Sequence, residues 1–358
     1  MKKLELLKIE LLSRGMKVST LAHKKLTEQG APLSLKEYPT TSGIGLNLGD
    51  DVYVNAPFFE GFCKETNITL DYDGREFFLI SSDERYDVKP VPIPNYYDKK
   101  NKKGLLYSSI AMTHTDRVRI SPIQGCSFSC KFCDMSFTRQ YHKHNITDLI
   151  ESVEIALKDE ILPARHVLIS GGTPLPKDHS YIDQVYQQVA ETFDVPVDVM
   201  MASFRDLQYL ERLYSWGINA LSINMELYDR DTAREYMPQK SEIGRDNYMR
   251  FIRKAVEVFG YGKVQSLLLI GLESKEHTLK GVEALASLGC LPVLSPFRPS
   301  PNTPLGNLRP PSASEMMEIY QKSLEIANKY GVKLGPRCIP CHHNTLTFPD
   351  RSGFYFYS

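Results

Sequence analysis

The chain has 358 residues, enough for one large domain or two modest ones with a sizeable core. Its 42% hydrophobic and 24% charged residues exclude disorder, collagen-like and low-complexity architectures. Lys+Arg 43 balance Asp+Glu 43, so no basic excess argues for a sequence-independent grip on nucleic acid or on an anionic membrane.

The opening MKKLELLKIELLSRG has the lysines and leucines of a signal peptide, but Glu5, Lys8 and Glu10 interrupt the apolar stretch and no small-residue cleavage site follows. It reads as an amphipathic helix on a cytoplasmic protein, and no run approaches the length of a membrane span. Short strand-like pieces come next: DDVYVNAP near residue 50, then NITLDY and REFFLIS on either side of Asp73-Gly74, a dipeptide that favours a tight hairpin turn. The stretch VKPVPIPNYYDKKNKKG, with Pro90, Pro92 and Pro94 and a basic run, reads as an extended linker. The expected organisation is a mixed α+β extension over 1–115 including that linker, an α/β barrel over 116–345 and a tail over 346–358.

From Arg117 the chain alternates β-branched runs with amphipathic helical segments. Strands are expected at 117–122, 166–170, 197–203, 220–224, 264–270 and 291–297, with a further candidate at 331–335. Helical stripes lie between them: Leu149, Ile150, Val153, Ala156 and Leu157, then Ile182, Val185, Val189 and Phe193, then Leu207, Leu210 and Leu213. Later helices are expected at about 245–259, 276–288 and 312–330. Repeated strand–helix–strand units pair in parallel through right-handed crossovers, giving a doubly wound sheet or a full or partial α/β barrel. In either, ligands bind at the carboxyl ends of the strands.

Seven cysteines, an odd number unevenly spaced, favour metal or redox chemistry over a disulfide framework in a chain without an export signal. Cys126, Cys130 and Cys133 crowd into GCSFSCKFCDM, directly after the first barrel strand. Three soft thiolates converging from one loop suit zinc or an iron–sulfur cluster. A closed zinc site recruits a fourth ligand at finger-like spacing, whereas a catalytic cluster benefits from an iron without a protein ligand.

With its C-x3-C-x2-C spacing and the aromatic Phe132 before the last cysteine, the loop resembles the signature of the radical S-adenosylmethionine (radical SAM) enzymes. The resemblance covers about residues 117–310 and implies a full or partial (β/α) barrel of the radical SAM type behind a smaller mixed α+β domain. It implies that Cys126, Cys130 and Cys133 ligate three irons of a [4Fe–4S] cluster, that the fourth iron binds SAM, and that Phe132 packs near the adenine. Gly171, Gly172 and Thr173 end the second strand, where paired glycines let a ligand approach the backbone; by resemblance they meet the methionine part of SAM. Asn224 and Glu226, two apart at the end of the fourth strand, match positions that bind the ribose hydroxyls or the methionine moiety, and Arg234 matches a partner of the SAM carboxylate. The fifth and sixth strand ends, LLLIGLESKE and VLSPFRPSPNTPL, are similar to biotin-synthase-like members, which places Glu273 and Arg298 at the barrel mouth as catalytic candidates, Arg298 gripping an anionic substrate group.

Of the other cysteines, Cys290 just before the sixth strand reads as a packed small hydrophobe. Cys338 and Cys341 are spaced C-x2-C, followed by His342 and His343. The letters C-x-x-C-H spell a haem attachment motif, a chemistry foreign to a cytoplasmic chain. The pair is instead a candidate, near the barrel mouth, for a second metal site such as an auxiliary iron–sulfur cluster completed by Cys63 or a histidine; the alternative is a redox-active or inert thiol couple. The implied function is reductive cleavage of SAM to a 5′-deoxyadenosyl radical, which takes hydrogen from a small-molecule or carrier-bound substrate, with a flavodoxin or ferredoxin-type reductant. The outcome extends from sulfur insertion to rearrangement or carbon–carbon bond formation. The reading from another class is a cysteine-rich metal-binding scaffold without turnover.

Overall fold

The computed structural model describes residues 1–30 and 43–349. The helix expected at the start is α1 (Lys3–Arg14), followed by β1 (Lys17–Val18) and α2 (Thr20–Glu28), which Ser19 caps by accepting the Ala22 N–H at 3.1 Å. Strands β2 (Ile44–Asn47), β3 (Tyr53–Ala56), β4 (Thr69–Tyr72), β5 (Phe77–Ser81) and β6 (Glu84–Pro90) join β1 in a six-stranded sheet ordered β1-β4-β5-β6-β2-β3. Asp73-Gly74 does make the β4–β5 turn: the Asp73 carboxylate accepts the Arg75 and Glu76 N–H groups, each at 3.0 Å, and Gly74 sits at φ +98°. The next turn is built from Ser82 and Asp83, both left-handed at φ 49° and 62°, a choice that hides β6 from a search for Gly-containing turns.

The proline-rich segment differs from the expected linker. Its first proline ends β6, and Tyr96 is wholly buried, its N–H donating to Asp159 at 3.1 Å and its hydroxyl paired with Thr113 at 2.9 Å. One continuous apolar core runs from Leu7 through both sheets to Phe348.

The second sheet opens with an antiparallel pair, β7 (Ala111–His114) and β8 (Arg117–Ile120). A two-stranded ribbon of β9 (Ile123–Gln124) and β10 (His142–Lys143) comes next, closing the base of the cysteine loop, which also carries α3 (Met135–Thr138). Then come α4 (Ile146–Leu157), β11 (His166–Ile169), α5 (His179–Thr192), β12 (Val197–Met201), α6 (Gln208–Ser215), β13 (Ala220–Ile223), α7 (Arg230–Tyr236), α8 (Pro238–Ile243), α9 (Arg245–Phe259), β14 (Val264–Ile270), α10 (Lys275–Ala286), β15 (Leu291–Pro296) and α11 (Ala313–Lys329). The spatial order β15-β14-β13-β12-β11-β8-β7 follows the chain, with six strands parallel. A chain-ordered sheet with right-handed crossovers keeps every helix on one face, so this is a partial α/β barrel and not a doubly wound sheet.

Burial alternates along the barrel strands. Val118, Ile120, Val199 and Leu268 face the helices, while the partly accessible Arg117, Arg119, Asp198, Met200, Gln265 and Leu267 face the other way. Leu168, Met200, Ser222 and Gln265 line one small cavity of about 40 Å³ with Arg117, which identifies the second set as the barrel interior. No strand forms at 331–335; the chain from there to Leu346 crosses the β15 edge irregularly, with Gly335 N–H to Pro292 and Leu346 N–H to Leu294. Of the expected tail, Leu346 and Phe348 are core residues, and 350–358 lie outside the described residues. No helix among the described residues is long and apolar enough to cross a membrane.

Lys8 on α1 is entirely buried, donating to the carbonyls of His342 at 2.8 Å and Thr347 at 2.9 Å. Burial pushes its pKa down from 10.5 to about 7, with Glu5 opposing the shift. Below pH 7 folded and unfolded chains both hold the proton, and from there to the unfolded pKa the unfolded chain binds more, so stability rises with pH. The urea unfolding free energy should therefore gain about 2 kcal/mol from pH 7 to 9 relative to Lys8→Met measured alongside. A pH-independent difference between the two proteins would refute this.

Candidate active site

The cysteine loop stands at the carboxyl end of β8, between the ribbon strands, and folds back on the end of β11. Gly125 enters it at φ +73°, where a side chain would meet the Tyr141 backbone at 2.9 Å. Ser127 donates from its N–H to the Thr173 carbonyl at 3.0 Å and from its hydroxyl to the Pro174 carbonyl at 3.2 Å. In return the Thr173 N–H points at the Cys126 sulfur at 3.1 Å, joined by the Phe128 N–H at 3.3 Å. Gly172 is what permits this zip: a Cβ there would fall 1.6 Å from the Gly125 carbonyl oxygen. Gly172 thus admits the backbone of the loop itself, while Gly171 abuts Ser121 and the Ile123 carbonyl.

Two backbone N–H groups thus converge on one sulfur. Burial raises the Cys130 thiol pKa, with the nearby Glu226 charge adding, and burial raises Cys133 to about 12. These thiols hold protons until a metal cation displaces them. Three such sulfurs on one loop fit three irons of a cluster. Lys131 N–H donates to the Tyr236 carbonyl at 2.7 Å, and Ser129 bonds Gln239, so the loop is also tied to α7 and α8. Cys130 and Phe132 pack against Leu227, Ala233 and Met237.

Glu226 continues β13 beyond its last regular residue. Its backbone exchanges 2.8 Å hydrogen bonds with Leu267 and Leu269 of β14, yet it sits at φ +65°, a left-handed conformation that costs a non-glycine residue about 1–3 kcal/mol. Its carboxylate is ion-paired with the buried ammonium of Lys240 on α8. Burial alone would lower the Lys240 pKa; the charge of Glu226, with Tyr248 and Cys130 behind it, outweighs burial and raises it. A carboxylate carried on a strained backbone and a buried cation therefore stand near Cys130. Lys240 was invisible in the sequence, being one polar residue of a six-residue helix.

The other candidates do not join this group. Asn224 is buried, accepting from Ser222 at 2.8 Å and from the Leu267 N–H at 3.2 Å. Arg234 lies on the outer surface, its side chain 74% exposed and paired with Asp231. Glu273 accepts the Tyr228 and Asp229 N–H groups at 2.9 and 2.8 Å, fixing the turn into α7. Arg298 donates to Glu60 at 2.6 Å, binding the barrel to the N-terminal part where a substrate grip was expected. Cys338 and Cys341 are displaced furthest: they meet Asp116 and His166, which open β8 and β11, and so lie at the amino ends of the strands and not at the mouth. Cys63 packs near Gly15 and Glu60, apart from that pair. Arg119, inside the barrel within reach of Ser121 at 3.3 Å, is an interior cation whose signal in the sequence was the alternation R-V-R-I.

Residues 120–285 match the family described as the Radical SAM superfamily. A curated relative, the bacteriochlorophyllide c C-7(1)-hydroxylase of Chlorobaculum limnaeum, is 28% identical over 127 residues, 35% of this chain and 32% of that protein. The match thus spans about a third of the relative's length. Among solved structures, a radical SAM methyltransferase from Sphaerobacter thermophilus is similar at 16% identity and TM-score 0.49, covering 75% of this chain and 76% of that one. The FeFe-hydrogenase maturase from Carboxydothermus hydrogenoformans is similar at 19% identity and TM-score 0.48, over 62% and 54%.

Proposed function

We propose that this chain, which belongs to the radical SAM superfamily through its domain at residues 120–285, reductively cleaves SAM at a [4Fe–4S] cluster and takes hydrogen from carbon in a small-molecule or carrier-bound substrate. The observation that carries this reading is the cysteine loop, with the Thr173 and Phe128 N–H groups already aimed at the Cys126 sulfur. When bound, a [4Fe–4S] cluster and SAM would supply one-electron reductive cleavage, with a flavodoxin or ferredoxin-type reductant as the electron source.

The chain's own residues hold and screen the site. Cys126, Cys130 and Cys133 ligate the cluster; Phe132 and the apolar residues around it exclude water. Glu226 and Lys240, ion-paired with each other, offer an acceptor and a cation to the polar groups of SAM. The interior face carrying Arg119 and Met200 receives the substrate. The related hydroxylase, named for action at one carbon of a bacteriochlorophyllide, supports hydrogen abstraction from carbon as the common first act. Sulfur insertion has lost its structural support, because Cys338 and Cys341 lie at the opposite end of the strands from the cysteine loop.

Anaerobically reconstituted, dithionite-reduced protein should convert SAM to methionine and 5′-deoxyadenosine; no product over a protein-free control would favour a metal-binding scaffold instead. Glu226→Ala should weaken SAM binding by an amount on the order of 1–3 kcal/mol, read by equilibrium dialysis, with cluster absorbance retained. Unchanged affinity would remove Glu226 from the cofactor site.

A further inference from the structure

At the floor of the barrel four side chains from three separate parts of the chain converge: Asp116, His166, Cys338 and Cys341. Their ligand atoms all lie within 4.8 Å of one another, with Cys338 Sγ 3.4 Å from Asp116 Oδ1, His166 Nε2 3.6 Å from the same oxygen, and Cys341 Sγ 4.0 Å from His166 Nε2. His166, Cys338 and Cys341 are buried, and the Asp116 side chain is only 14% exposed.

We propose that these four residues form a closed, mononuclear zinc(II) site that ties the C-terminal segment to the floor of the barrel. The spacing fits one ion: across a tetrahedral zinc with Zn–S of about 2.3 Å, two sulfurs stand about 3.8 Å apart. A cluster of several irons needs its thiolates spread more widely and has only two of them here. The donor set, two thiolates, an imidazole and a carboxylate, is one that zinc accepts, and four protein ligands leave no open position, the mark of a structural centre. The surroundings are arranged to match. With His166 Nε2 facing the other three donors, the Asp198 carboxylate stands on the far side of the ring, its Oδ2 3.9 Å from Nδ1, the side on which a metal-bound histidine commonly meets a carboxylate. Arg117, whose charge acts on both cysteines, offsets the negative charge left over when two thiolates and a carboxylate meet a dication. The Cys341 N–H donates to the Cys338 carbonyl at 3.1 Å, a turn that presents both sulfurs to one point. On the other side of the same segment Lys8 holds His342 and Thr347, so the metal and the lysine clamp it from two sides.

Metal analysis of the full chain separates this centre from the catalytic cluster. The Cys126→Ala/Cys130→Ala/Cys133→Ala variant should hold one zinc per chain and no iron, and the anaerobic wild type that zinc together with about four irons. Cys338→Ser/Cys341→Ser should keep the iron and lose the zinc. Should that variant fail to fold, cobalt(II) in the triple-alanine protein decides: intense sulfur-to-cobalt charge-transfer absorption of a tetrahedral site supports the assignment. Iron in place of zinc in the triple-alanine protein, a disulfide between Cys338 and Cys341, or no bound metal at all overturns it.

Discussion

Replacing any one of Cys126, Cys130 or Cys133 with alanine should abolish SAM cleavage and remove the brown chromophore of the anaerobically reconstituted protein. Each supplies a sulfur that the fold has prepared at a cost: Cys130 and Cys133 are buried enough to raise their pKa values, and Cys126 collects two N–H donors. No other cysteine can stand in, because Cys63, Cys290, Cys338 and Cys341 lie on other elements, and Cys338 and Cys341 sit at the far end of the barrel strands. The loss should be local. The β9–β10 ribbon closes the loop through backbone pairing, and Lys131 and Ser129 tie it to α7 and α8 without any thiol. Circular dichroism and unfolding midpoint of each metal-free variant should therefore match those of the metal-free wild type, while 5′-deoxyadenosine falls to background. A single-cysteine variant that keeps both its iron and its SAM cleavage would exclude the loop as the cluster site.

The barrel was legible because its strands and helices obey local rules. The runs at 264–270 and 245–259 are observed as β14 and α9 with the expected ends, since each is bounded by turn residues and carries a clean period. The features that escaped depend on contacts between distant parts. GVKLG at 331–335 has the composition of a strand, yet it crosses an already formed edge and makes only isolated backbone bonds there. Glu273 and Arg298 carry the right chemistry for a mouth, but their partners, two backbone N–H groups and Glu60, are set by tertiary packing that no motif records. His166 looked like the first letter of a hydrophobic strand; only the fold brings it to cysteines more than 170 residues away. Cys126, Cys130 and Cys133 were readable because a single loop holds all three.

Gly172→Ala should lose the cluster almost as completely as the cysteine variants, although it removes no ligand. A Cβ at this position would lie 1.6 Å from the Gly125 carbonyl oxygen, 2.6 Å from its carbon and 2.7 Å from the Cys126 Cα. All three are backbone atoms, so no rotamer change relieves the overlap; the loop must back away from the end of β11. That movement breaks the bond from Ser127 N–H to Thr173 and withdraws the Thr173 N–H from the Cys126 sulfur, so the loop no longer holds that sulfur in place. Gly171→Ala should be milder. Its Cβ meets the Ile123 carbonyl at 3.0 Å and its backbone is left-handed at φ +143°, so strain of about 1–3 kcal/mol is expected without a direct collision with a ligand. Thr173→Ala is the control, since it deletes the side chain and keeps the N–H. Iron content after anaerobic reconstitution should then rank Thr173→Ala near wild type, Gly171→Ala between, and Gly172→Ala close to zero. A Gly172→Ala protein that takes up a full cluster would show that the loop is held by something other than its contact with β11, and a Thr173→Ala protein without iron would move the critical contact from backbone to side chain.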